Sequence, residues 1–566
     1  MGDKQRSHVE EINRSIYDVK DRVEYSYKAD TGLTEEIIRE ISAKKEEPEW
    51  MLQKRLQALK IYQKLDIPPW APDISELDMR NIDTYVRPKT DMKAKWEDLP
   101  QNIRDTFDRL GIPEAEKKSL AGVGAQYDSE VVYHNIQKEL EEQGVVYVDF
   151  ETAVKKYPEL IQQYFGKLIT PSYHKFAALH YAVWSGGSFV YVPKGVHVRM
   201  PLQSYFRLNA PGAGQFEHTL IIVEEGASCH FIEGCSAPRY NVANLHAGAV
   251  ELFVKKGASL RYSTIENWSK NMYNLNTKKA LVEDDAHMVW VSGSFGSHTS
   301  CLYPDTVLKG DRSTCEFTGI TFAGKGQFLD TGSKVEALGK DTSIHISSKS
   351  ISKSGGAAIY RGVVYIGPKA AGAKGSISCE SLMLDNESRS DTIPDIIIEN
   401  DDIDLGHEAK IGRIPDEDIY YLMSRGLTEN DAKAMLVRGF AEPISNALPL
   451  EYAVEMNRQI DLEFEDNAAV CVVLASDGYP EKYDKGFEIK GLDTFKDKDG
   501  YYVFHAGTKF DGDKIVTNGG RVLGVVAKGE NLKAARANAY KATEWIDFAN
   551  KYMRHDIGKA IDEADV

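Results

Sequence analysis

Five stretches decide the fold: VEEGASCHF (residues 223–231), VKKGASLRY (254–262), VEDDAHMVW (282–290), LKGDRSTCEF (308–317) and LGKDTSIHI (338–346). Each begins on an apolar residue, passes through a small Gly- or Asp-containing turn and continues as a strand of alternating character. Their starts lie roughly 26 to 31 residues apart, a spacing found in repeat architectures. A single unit holds too few apolar residues to close a core, whereas stacked units would share one. Strands joined by tight turns, with no helices between them, predict a mainly β protein with a parallel β-helix or related solenoid over residues 181–412. A β-sandwich is the alternative, and a doubly wound α/β fold is disfavoured.

On either side of this block the apolar period changes. Residues 1–180 read mostly as helix: Leu52, Leu56, Leu59 and Tyr62 form one stripe, and Leu99, Ile103, Phe107 and Leu110 form another. Residues 413–465 return to helix, with Pro415 in a first turn, Thr428 as an N-cap, and PLEYAVEMNRQIDLEFE (449–465) following. Such a cluster can close the open end of a solenoid or offer a helix surface to a partner. Residues 466–566 alternate strands (AVCVVLASDGYP, YYVFHAGTKF, RVLGVVAKG) with the helix NLKAARANAYKATEWIDF. They predict a small α+β unit able to fold alone.

The 566 residues exceed what one core can organise, and 42% hydrophobic with 27% charged residues is an ordinary globular balance. A net charge of -17 disfavours nucleic acid as a partner. No apolar run is long enough for a bilayer, and MGDKQRSHVEEINRS at the N-terminus lacks a signal-peptide core, so a cytoplasmic protein is expected. None of the six cysteines forms a CxxC pair, which argues against a zinc knuckle or a thioredoxin-type motif. GPKAAGAKGS (367–376) lacks the G-K-[ST] ending of a phosphate-binding loop, so nucleotide hydrolysis is not expected of this chain.

GSISCESLMLDNESRSDTIPDIIIENDDIDLGHEAKIG (375–412) holds Cys379, His407 and Glu408. A thiolate can accept sulfur from a persulfide, and thiolate, imidazole and carboxylate together suit iron. Cys379 and His407 are 28 residues apart, about one repeat, so neighbouring coils could bring them together. Spacing alone favours a buried thiol beside a solvated His-Glu turn.

Longer motifs favour the first reading. LTEEIIREISAKKEEPEWML, GSFVYVPKGV, YFRLNAPGAGQFEHTLIIVEEGA, EGCSAP, LHAGAVEL, YSTIENW, SKSISKSGG, YRGVV and GHEAKIGRIPDEDIYYLMSRGL follow one another between residues 33 and 427. Over about residues 22–465 the chain resembles the SufB family, scaffold subunits of the SUF iron–sulfur assembly machine. The resemblance implies a right-handed parallel β-helix between helical segments, and a scaffold rather than an enzyme. It implies work with a SufD-type β-helix protein, a SufC-type ATPase docking on 413–465, and a desulfurase or sulfur carrier as donor. It also implies a transient iron–sulfur cluster, with reduced FAD as an electron source, although no residue marks a flavin site. Cys379 falls at the family's sulfur-acceptor position, and His407 and Glu408 fall at its HEA motif, so all three are candidate cluster ligands. Cys235 matches a second functional cysteine at the entry of a sulfur path, along which Arg207, Asn209, Glu266, Trp268 and Lys278 match. Cys229, Cys301, Cys315 and Cys471 match no family motif and read as buried thiols. Two features depart from the family: no cysteine precedes Cys229, and Gly406 stands where some members carry an acid.

The last hundred residues resemble something else, the C-terminal domain of phosphoribosylamine–glycine ligase, through SDGYP, VFHAGTKF, TNGGRVLGVVAKG and RHDIG. The ATP-grasp domain of that enzyme has no counterpart here. The alternatives to a cluster scaffold are therefore a truncated ligase and a cluster-free interaction solenoid.

Overall fold

Val223, Val254, Val282 and Leu308 stand side by side in four consecutive parallel strands. They do so in a computed structural model that describes residues 14, 17–425, 427, 429–445, 468–496 and 498–558. The fifth repeat is offset by one: Ala337, not Leu338, lies opposite Leu308, and Leu338 is exposed. The column continues back to Val192 and on to Ile366 and Ile398, giving a parallel β-solenoid of about eight turns.

The turns explain the Gly/Asp signal. Gly226, Gly257, Asp285, Arg312 and Asp341 occupy equivalent places and all have positive φ, a region costly for most side chains. In that conformation each N–H points along the stack and reaches the next coil. Gly226 N donates to Lys256 O at 2.9 Å, Gly257 N to Asp284 O at 2.8 Å, and Arg312 N to Lys340 O at 2.7 Å. Arg312, the residue least suited to this backbone, is held by Asp285 through two hydrogen bonds of 2.6 and 2.8 Å.

Early coils contain three strands, as in Ser259–Asn267, Met272–Asn274 and Thr277–Val282. From Phe328–Ala337 onward the second and third merge into one strand, whose two halves pair with Thr299–Leu302 and Asp305–Leu308. The result is a ten-stranded and a thirteen-stranded sheet. Phe231, Tyr262, Trp290, Phe317, Ile346 and Ile377 form one interior row, in register across six strands. They pack with Val250, Leu252, Ala280 and Val364 from the facing sheet.

Helices cover the outside. Ile103 and Phe107 of Gln101–Arg109, and Val437 and Ala441 of Glu429–Ser445, cluster with Ile232, Ile265, Val291 and Ile351 of the ten-stranded sheet. Glu49–Lys64 buries Leu56 and Leu59 on the other side, as its stripe predicts; Leu52 and Tyr62 of that stripe are partly buried, and Met51, outside it, is fully buried. It also buries Arg55, whose guanidinium pairs with Glu47 at 2.6 Å and lies 4.5 Å over the Trp184 ring. Strands interrupt the helices expected over residues 1–180. Gly122–Tyr127 and Glu130–Ile136 form a hairpin that extends the ten-stranded sheet, and Val146–Asp149 pairs with Gly187–Val192. Near the end of the solenoid Pro415 precedes the helix Asp416–Met423. Thr428 and the stretch 449–465 lie outside the described residues.

The chain divides into two units, Met1–Leu462 and Glu463–Val566. The second has a four-stranded sheet, in the order Tyr501–His505, Arg521–Gly529, Ala468–Ser476, Lys551–Tyr552. Its helix Leu532–Thr543 is capped by Asn531, whose side chain accepts from Ala534 N at 2.9 Å. Leu474, Leu523, Val525, Ala542 and Ile546 form its own core. Among the described residues no helix is long and apolar enough to cross a membrane.

Candidate functional site

Cys379 sits in Ala373–Met383, between Ser348 on one neighbouring strand and Ala409 on the other. Its side chain faces the interior with Ile377 and is 2% exposed. Burial pushes its thiol up to about 12, so at neutral pH it carries its proton. His407 lies opposite Ile377 on Ile403–Arg413, and parallel pairing in register puts it on the same face as Cys379. One strand across and two residues along places their Cα atoms about 8 Å apart. Glu408 lies opposite Ser378 and points to the other face, where it pairs with Lys410 at 2.9 Å. The fold thus brings Cys379 and His407 together and turns Glu408 away. Among the described residues no three His, Cys, Asp or Glu side chains form a metal-binding group.

This pair lies at the end of the stack. Arg389–Ile398 pairs only with Ala357–Ile366, and Ile403–Arg413 only with Ala373–Met383, so among the described residues each leaves one edge unpaired. Ile397, Ile398 and Ile411 are exposed there.

Inside the solenoid two polar rows run towards Cys379. The first is Cys235, Glu266, Ser294, Thr321, Ser350 and Ser381, residues in register on successive strands. The second, two residues earlier on each strand, is Glu233, Thr264, Ser292, Gly319, Ser348 and Cys379. Five strand spacings separate the Cys235 strand from the Cys379 strand, about 24 Å. The ribbon is hydrogen-bonded where its hydroxyls meet: Ser350 and Ser381 are 2.7 Å apart, and Thr264 donates to Glu233 at 3.1 Å.

Charge concentrates at the Cys235 end. Lys278 Nζ donates to Glu233 Oε1 at 2.8 Å and to Thr264 Oγ1 at 3.2 Å, and lies 3.5 Å from Glu266 Oε1. The Tyr262 hydroxyl also donates to Glu233. His246 bridges Glu217 at 2.5 Å and Asn274 at 2.8 Å, and Asn274 in turn donates to Glu266 at 2.5 Å. Every one of these groups is buried. Burial works against the Lys278 ammonium, but Glu233 and Glu266 outweigh it and keep it charged. The Cys235 thiol is pushed well up, first by burial and then by Glu233, Glu217 and Glu266, with Lys278 opposing.

The other expected path residues divide. Glu266 and Lys278 belong to this network. Trp268 is buried beside the His246 ring at 4.6 Å. Arg207 lies opposite Ser236, one residue past Cys235 and so on the other face of the strand. There its guanidinium donates to Tyr17 O at 2.8 Å and Val19 O at 2.9 Å. Asn209 joins it, donating to Asp21 O at 3.1 Å. These two anchor an N-terminal strap across the Cys235 end. Cys229, Cys301 and Cys315 are buried, as expected, but Cys471 is exposed: it alternates out of phase with the buried Val470 and Val472 on its strand. Sequence reading missed Glu217, Glu233, Thr264 and His246. Their signal was available, since Glu233 shares the inward phase of Cys229 and Phe231.

The fold defines the chain as a helix-clad β-solenoid with an internal polar ribbon between two thiols. A family described as the SUF system FeS cluster assembly SufBD core domain matches residues 206–440, and the SufBD N-terminal region matches 35–204. An iron–sulfur cluster assembly SufBD family protein of Staphylococcus haemolyticus is 52% identical over 439 residues, covering 78% of this chain and 94% of that one. A relative of the same description in Staphylococcus saprophyticus is 51% identical with the same coverage. This chain belongs to the SufBD family of iron–sulfur cluster assembly proteins. The phosphoribosylglycinamide synthetase C domain matches residues 469–560. The crystal structure of phosphoribosylamine–glycine ligase from Thermotoga maritima shares 36% identity with this chain, covering 18% of it and 26% of the ligase, with a TM-score of 0.15.

Proposed function

We propose that the chain is a SufB-type scaffold that accepts sulfur at its Cys235 end, delivers it to Cys379, and builds a cluster there with iron. The observation that carries this reading is the pairing of Cys379 and His407 on one face of the last two coils, at an end whose strands have unpaired edges. Long exposed strand edges favour pairing with another chain. A SufD-type solenoid that continued both sheets would bury them and supply further ligands beside Cys379 and His407. Glu408 would join by turning about the edge strand, or would tune the site from its outer face. The polar ribbon supplies hydrogen-bond donors for an anionic sulfur species, and Lys278 a fixed positive charge near its entry.

The chain acts as a scaffold rather than an enzyme, in the cytoplasm, with the ATP hydrolysed by a SufC-type ATPase and sulfur brought by a desulfurase or carrier. Tyr420, Tyr421 and Met435 are exposed on the helices Asp416–Met423 and Glu429–Ser445 and suit that docking. The cluster is cargo, and reduced FAD serves the complex as electron source. The test is anaerobic reconstitution of the complex with iron and sulfide, read by visible absorption. Cys379→Ala should abolish the cluster bands while the complex stays assembled; bands equal to those of the parent would refute the assignment.

A further inference from the structure

A cavity of about 510 Å3 lies on the outside of the solenoid, where Trp70, Tyr173 and Phe176 face Tyr303, Asp305 and Arg361 of the second sheet. That volume is in the range of small-molecule sites. Trp70 is its hub: its ring meets His174 at 5.5 Å, Phe176 at 6.4 Å and Tyr303 at 5.7 Å, all edge-on. Burial brings His174 down to about 4, so the imidazole is neutral at pH 7 and the Trp70 side of the cavity is aromatic and uncharged.

The polar groups narrow the ligand. Arg361 is taken up by Asp330, with bonds of 2.9 and 2.8 Å. Lys334 is shared between Glu336 and Asp305. No cation on this wall is left to recruit an anion. Asp305 Oδ2 receives Tyr173 OH at 2.8 Å and Lys279 Nζ at 2.7 Å, and the Asp395 carboxylate also lines the cavity, so the site favours a ligand that brings donors. Asp305 Oδ1, however, is buried and meets no donor. A buried carboxylate oxygen without a donor costs stability that a ligand N–H would recover.

We propose that this cavity binds a small, planar heteroaromatic molecule bearing a ring or exocyclic N–H donor. The ring packs against Trp70 and its aromatic neighbours, and the N–H donates to Asp305 Oδ1. This function is separate from cluster assembly and needs neither iron nor sulfide.

The full chain should quench the fluorescence of 2-aminopurine riboside saturably, and adenosine should displace the probe. Purine riboside, which has the same ring but no exocyclic N–H, should compete about tenfold more weakly. Trp70→Leu should weaken the probe about tenfold, the loss typical of one aromatic stack. Trp70 is partly exposed, so its replacement should leave the melting temperature near that of the parent, which is measured alongside. Absence of saturable quenching at millimolar probe, equal competition by purine riboside, or unchanged binding by a folded Trp70→Leu chain would each overturn the proposal.

Discussion

Lys278 shows how a charge can live inside a β-solenoid. Its ammonium is enclosed with two carboxylates, a threonine hydroxyl and the face of Tyr262, whose ring centre is 5.3 Å away. Removing it would strand Glu233 and Glu266 in the interior. Lys278→Met is therefore expected to cost about 3–5 kcal/mol, the range for breaking a buried pair from one side. Urea unfolding of the two proteins measures this, and a loss below about 1 kcal/mol would mean that the carboxylates are already protonated. Asp128 gives a different test. It accepts from Asn209 N at 2.6 Å and Ala210 N at 2.8 Å, yet burial lifts its carboxyl to about 6. The folded protein thus holds this proton more tightly than the unfolded chain. The resulting stabilisation is full below about pH 4 and is lost as pH rises through 6. Asp128→Asn keeps an acceptor for both amides and suits the positive φ at this position. Between pH 4 and 7 the variant should gain stability relative to the parent, by about 3 kcal/mol for a shift of this size. Melting curves at the two pH values give the answer, and parallel pH profiles would rule Asp128 out as the titrating group.

At the scale of elements, Asp416–Met423 and Glu429–Ser445 present Tyr420, Tyr421 and Met435 to solvent while burying Ile419, Val437 and Ala441. Tyr420→Ala with Tyr421→Ala should leave the solenoid folded and reduce co-purification with the SufC-type ATPase at least tenfold. Retained binding would move the docking surface elsewhere. The repeats themselves were legible because a left-handed turn admits few residues and because strand alternation marks the interior. The turn is one residue longer from Leu308 to Arg312 and from Ala337 to Asp341 than in the earlier coils, and the offset at Leu338 arose because two apolar residues, Ala337 and Leu338, stand side by side there. The merging of two strands at Phe328–Ala337 carries no comparable mark, since Gly332 and Ser333, residue types common in turns, continue as strand. The hairpin at 122–136 was hidden by helices on both sides. At the site, Cys379 and His407 were identified through resemblance. Their shared face follows from a register that the 28-residue spacing could not give, because Cys379 pairs with Ala409 and not with His407.

At the scale of the molecule, two units with separate cores share one chain. The second has its own sheet, capped helix and buried Leu523, Val525 and Ile546, enough for independent folding. Residues 1–465 alone should assemble a cluster with the partner subunits as well as the full chain does, compared by absorption per mole of complex. Residues 466–566 should unfold cooperatively on their own. Glycine-dependent ATP turnover with phosphoribosylamine should be absent from the full chain, and measurable turnover would show that the tail takes part in a complete ligase site.

The edge strands Arg389–Ile398 and Ile403–Arg413 have a consequence for motion. In a quasi-one-dimensional stack each coil is held by its two neighbours, and the last has only one. Local opening therefore begins there and is rarer towards the interior, as in a zipper with one unfastened end. Cys379 lies a single strand in from that end. The thiol that is buried in the average structure is then the first of the interior thiols to meet solvent, and the loosest part of the solenoid is the part to which the proposed function assigns its chemistry. A partner that clamped the edge would set how often Cys379 is reachable, and under the proposed function assembly would then time sulfur acceptance.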